Sequence, residues 1–92
     1  MIIYIAGPIT GVFDYREKFK RVERNLVNKG HIVINPSFIP NGLKDYMPTC
    51  KALIDQADAI YMMVGHADSV GATEELAYAL ETKKKVFCQK SY

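Results

Sequence analysis

The chain has 92 residues, 49% of them hydrophobic, which fits one folded domain with a single core and excludes a disordered segment. Twelve Lys and Arg against ten Asp and Glu leave a formal charge of +2, too little to imply nucleic acid as a partner, and no apolar run approaches the length of a membrane span. The opening "MIIYIAGP" is too short and lacks the charged leader of a signal peptide, and the two thiols, Cys50 and Cys88, share no metal-ligand spacing with His31 or His66, so the expected setting is reducing and cytoplasmic.

"MIIYIAG" is a short β-rich run ended by Gly7-Pro8, a buried strand followed by a loop. From Asp14, an N-cap residue, Phe19, Val22, Leu26 and Val27 recur at helical spacing, and Gly30 supplies the stop. Arg16, Lys18, Lys20, Arg21 and Arg24 on the same segment read as the solvated face of that helix, with a basic interaction surface as the lesser reading. "HIVIN" is a second strand, halted by Pro36. Residues 36–48 hold three prolines and Gly42 and read as a long surface loop, a length often kept for function. Ala52, Leu53 and Ile54 belong to a short helix, "DAIYMMVG" is a continuous apolar strand, a third helix runs from near Gly71 to about Lys83, and "KVFCQ" is the last strand.

Apolar strands alternating with helices predict an α/β fold: a small flavodoxin-like or Rossmann-like parallel sheet of four to five strands, covered by helices on both faces, with residues 1–92 as one domain. Ligands of such sheets bind beyond the carboxyl ends of the strands. Three loops are expected at that edge, "AGPITG", "NPSFIPNG" and "GHADSVGA". The first offers close backbone approach through Gly7 and Gly11, but it carries neither GKS nor GxGxxG. Tyr4, on the strand before it, is either a core residue or one whose hydroxyl reaches the pocket.

The stretch "DSVGATEELAYA" sets two carboxylates side by side. A helix starting near Gly71 puts Glu74 at its third position, where a glutamate folds back to cap its own helix. Ala72, Glu75, Leu76, Ala79 and Leu80 then share a small apolar side that faces the sheet. Glu75 is thus an inward acid that either complements the helix dipole or reacts with a ligand. Ser69 and Gly71 precede the same terminus, making an anion site or a plain turn.

"YIAGPITG", "GHIVINP", "ADAIYMMVG" and "SVGATEELAYAL" occur in this order over nearly the whole chain, and together they resemble the nucleoside 2-deoxyribosyltransferase family. The likeness is closest to its short members and to its 2'-deoxynucleoside 5'-phosphate N-hydrolase branch. The resemblance implies that Glu75 is the nucleophile, Tyr4 the strand-one tyrosine and Ser69 the holder of a 5'-phosphate. Gly7, Pro8, Ile9, Gly11, Gly71 and Cys50 then bind substrate. It implies a nucleoside or nucleotide as ligand, no metal or cofactor, and a homodimer or higher oligomer. Two departures stand out. Cys50 occupies the place of a family aspartate, with Asp55 and Asp58 as the alternative acids for that role, and the chain stops soon after strand four, where longer members carry a segment that completes a neighbour's pocket. The alternative expectation is a nucleotide-binding protein of the same fold with little or no catalysis.

Overall fold

The structure, a computed structural model, describes residues 1–90. Its elements are β1 (Ile2–Ala6), α1 (Tyr15–Asn28), β2 (Ile32–Ile34), a 3-10 turn (Pro36–Phe38), α2 (Met47–Asp55), β3 (Ala59–Met62), a second 3-10 turn (His66–Asp68), α3 (Val70–Glu81) and β4 (Lys85–Cys88). The four strands form one parallel sheet in the order β2-β1-β3-β4. The fold is α/β, compatible with a small flavodoxin-like or Rossmann-like sheet.

The apolar strands serve two cores at once, because successive side chains point to opposite faces. Ile3 and Ile5 of β1 meet Phe19, Val22 and Leu26 of α1 on one face. Tyr4 and Ala6 point the other way, among Cys50, Ile54, Ala72 and Ala79 of α2 and α3. From β1 the chain crosses one face through α1 to reach β2, then crosses the other through α2 to reach β3. The strand order therefore reverses between β1 and β3. That is the switch point where a parallel sheet opens a crevice at its carboxyl edge.

At the element ends, Gly30 stops α1 as expected, while other details differ from the sequence expectation. Helix α1 ends in a Schellman arrangement: Gly30 adopts φ +92°, its N–H donates to the Val27 carbonyl at 2.9 Å, and the His31 N–H donates to the Leu26 carbonyl at 3.2 Å. Val27, expected inside, is exposed, since Phe19, Val22 and Leu26 already complete the buried stripe. Asp14 stands at the N-cap position without a side-chain capping bond, and its carboxylate lies 3.6 Å from Lys18 Nζ. The expected loop over residues 36–48 begins with a 3-10 turn, in which Asn35 Oδ1 accepts the Ser37 N–H at 2.9 Å, and it gives way to α2 at Met47. Pro48 sits in the first turn of α2, where its missing N–H leaves no intrahelical bond unmade.

Candidate active site

Helix α3 starts at Val70, slightly before the expected Gly71. Ser69 is its N-cap: the side-chain Oγ accepts the Ala72 N–H at 3.2 Å. The Val70 and Gly71 amides belong to the first turn and have no acceptor within the helix. The earlier start moves Glu74 into the second turn. It is exposed there and does not cap the helix.

The inward side of α3 is Ala72, Glu75 and Ala79, all buried, with Leu76 partly covered. Leu80, expected on this side, is exposed, because it lies a further 100° around the helix from Ala79. Glu75 is only 6% exposed, a carboxyl inside an apolar layer. Its Oε2 accepts a hydrogen bond from the hydroxyl of Tyr4, which is fully buried on β1. Tyr4 therefore meets the core expectation, and its hydroxyl, rather than entering the cleft itself, holds the inward acid.

Burial raises the Glu75 pKa to about 7. Hydrogen bonds from Tyr4 and Cys50 pull it down, while the charge of Glu74 pushes it up. Burial also raises the Cys50 thiol to about 11, so at neutral pH it is a thiol rather than a thiolate. The Tyr4 phenol is held far above its ordinary value, first by burial and then by Glu75. The result is a carboxyl poised near half-ionisation at neutral pH and flanked by two groups that keep their protons.

Above Glu75 a cleft of about 970 Å³ opens at the switch point. Pro8, Ile9, Ser69, Gly71, Cys50 and Glu75 line it, as does Gly7. Gly7 is also a packing requirement: a Cβ there would come within 2.9 Å of the Met63 side chain, so glycine lets the first loop lie against β3's end. Gly11 is not part of the lining. It takes φ +77° in an open turn, which accounts for the glycine without a ligand. Tyr4 reaches the cleft only through Glu75. Asp55 accepts the Tyr78 hydroxyl at 2.6 Å in an exposed contact between α2 and α3, and Asp58 accepts the Ile2 N–H at 2.8 Å at the amino end of the sheet. Neither lines the cleft in place of Cys50.

Several lining residues escaped the sequence reading, Glu74 and Tyr46 among them. Glu74 borders the cleft from its exposed position, and Tyr46 closes one side of it from the residue before α2. The signal for Tyr46 was its place four residues before Cys50, on the same side of a helix whose start the prolines obscured. Among the described residues, no group of three or more His, Cys, Asp or Glu side chains is placed to hold a metal ion. No helix among them is long and apolar enough to cross a membrane.

The sequence profile of the family described as a domain of unknown function (DUF4406) matches residues 1–88, and the chain belongs to that family. No curated protein matches the chain significantly.

Proposed function

We propose that the protein breaks the N-glycosidic bond of a 2'-deoxynucleoside or its 5'-monophosphate, with Glu75 as nucleophile. The observation that carries this reading is the buried Glu75 carboxyl, held by the Tyr4 hydroxyl beneath a cleft at the sheet's switch point. The ionised carboxylate attacks C1', the base departs, and a glycosyl ester forms. Water then releases the sugar, or a second base accepts it, through the oxocarbenium-like transition state of retaining glycosidases. Tyr4 fixes the carboxylate's direction and leaves its other oxygen for the attack. The Ser69 hydroxyl still has its proton to donate after capping α3, and with the Val70 and Gly71 amides it suits a 5'-phosphate. The protein acts in this reading as a homodimer or higher oligomer, in the cytoplasm.

Binding without turnover is the second reading, favoured by Cys50, a protonated thiol beside Glu75 that is a poor proton donor. Incubation with a panel of deoxynucleotides and deoxynucleosides, followed by chromatography for free base, separates the two. Base release is expected, faster from the 5'-monophosphates, and absent in Glu75→Gln. Saturable calorimetric binding with no release supports the second reading. Neither release nor binding removes both.

A further inference from the structure

A departing purine or pyrimidine needs a proton or a hydrogen bond at its ring nitrogen. Several side chains around the cleft carry a proton to give. The alcohols and the amide of Thr10, Ser37 and Asn41 are much weaker acids than a phenol, and the Ser69 hydroxyl is assigned above to the phosphate. The Tyr15 ring packs edge-on against Phe19 in the core on the other face of the sheet. The Tyr4 hydroxyl is committed to Glu75 and fully buried. Cys50 is 2% exposed, and thiols are weak donors. Lys51 Nζ lies 5.4 Å from the centre of the Tyr78 ring, drawn toward the contact between α2 and α3. Asp45, just ahead of α2, accepts the Met47 N–H at 3.1 Å and has no proton to give. Exposed carboxylates such as those of Asp68 and Glu74 offer acceptors rather than donors.

Tyr46 is placed differently. It stands at the N-cap of α2, where its carbonyl accepts the Cys50 N–H at 3.0 Å, and its ring spans toward α3. The hydroxyl lies 3.0 Å from where a Cβ on Gly71 would sit, so it rests against the first turn of α3. The side chain is 43% exposed and lines the cleft, and its hydroxyl donates to no acceptor among the described residues. Burial, then the nearby Glu75, Cys50 and Glu74, raise its pKa, which keeps the phenol protonated at neutral pH.

Building on the glycosidase reading, we propose that Tyr46 is a catalytic residue whose phenol O–H donates to the departing base. As the Glu75 oxygen bonds to C1', the C1'–N bond breaks and its electron pair goes to the base, which takes the phenol proton. In the second step water gives its hydroxyl to C1', releasing the Glu75 carboxylate, and gives its proton back to the Tyr46 phenolate. Atoms and charge balance without a further reactant.

The test compares two leaving groups on the same sugar phosphate. One is the best natural deoxynucleoside 5'-monophosphate; the other is 4-nitrophenyl 2-deoxyriboside 5-phosphate, whose nitrophenolate departs without a proton. Tyr46→Phe is expected to lower kcat about 100-fold on the nucleotide and to leave nitrophenol release nearly unchanged. Equal loss on both substrates, or no loss on the nucleotide, overturns Tyr46 as the donor while the glycosidase reading stands. Wild-type protein that releases nitrophenol but no natural base overturns it too. Wild-type protein inert on both substrates removes the glycosidase reading, and the Tyr46 assignment with it.

Discussion

At Glu75 the folded protein holds a proton that the unfolded chain has already lost between its ordinary pKa of 4.5 and about 7. In that interval the native state binds more protons, so stability falls as pH rises and the cost is fully present above about pH 7. A shift of this size corresponds to about 3 kcal/mol. Glu75→Gln is therefore expected to melt above wild type at pH 8 and close to it at pH 4, in thermal scans at both pH values. A variant melting lower at pH 8 would mean that the site stabilises the carboxylate. In turnover, kcat/KM should rise with pH through about 7 as Glu75 ionises. Glu74→Gln removes a charge that holds this pKa up, so the limb should move to lower pH. Tyr4→Phe removes a bond that holds it down, so the limb should move higher. Equal shifts in one direction would show that neither neighbour acts on Glu75 as placed. Helical spacing was enough to turn Glu75 inward and Glu74 outward. The Tyr4 bond was not legible, because β1 is apolar on both faces and its side-chain alternation has no polar marker.

At the scale of elements, the helix ends depart most from the expectations, and they do so for local reasons. Residues 68–73 contain serine, glycine and threonine, and several of them can begin a helix. Only the Ser69 Oγ contact with the Ala72 N–H selects the start. Its loss in Ser69→Ala is expected to cost about 1 kcal/mol of stability, read from denaturant midpoints without ligand, in addition to any loss of phosphate affinity. The far end of α3 carries a second Schellman arrangement, in which the Lys83 N–H donates to the Leu80 carbonyl at 3.1 Å and the Lys84 N–H to the Ala79 carbonyl at 2.9 Å. Here the left-handed residue is Lys83, with φ +61°, where glycine fits without steric cost. Lys83→Gly should stabilise the protein by about 0.5–1 kcal/mol, the relief of the left-handed strain less the added freedom of the unfolded chain. An unchanged or lower denaturant midpoint would show that the strain is absorbed elsewhere. Nothing in the sequence marked this turn, since "ETKKKV" contains no glycine.

Across the whole molecule, the sequence pattern carried the parallel sheet and the three loops at its carboxyl edge, but not the strand order that puts the crevice between β1 and β3. That order depends on which face each crossover takes, a property of the assembled layers rather than of any one segment. The assembled surface also leaves Phe13 fully exposed and Phe38 and Val70 largely so, the first in the loop after β1, the second in the 3-10 turn after β2 and the third at the first position of α3, beyond β3. Single exposed apolar residues are ordinary, but three in the segments that follow three strands give the proposed dimer a surface for a second copy to cover. A small domain also gains more from such cover than a large one, because it buries less of its own surface. Sedimentation at micromolar concentration is expected to show a dimer or a larger assembly. Phe13→Asp is expected to shift it toward monomer with the thermal midpoint of the fold otherwise retained, since the Phe13 ring contributes nothing to the core. A wild-type protein that sediments only as monomer would refute the assembly. A dimer untouched by Phe13→Asp would place the contact away from the first loop, and Phe13 would then be a solvent-facing residue of that loop alone.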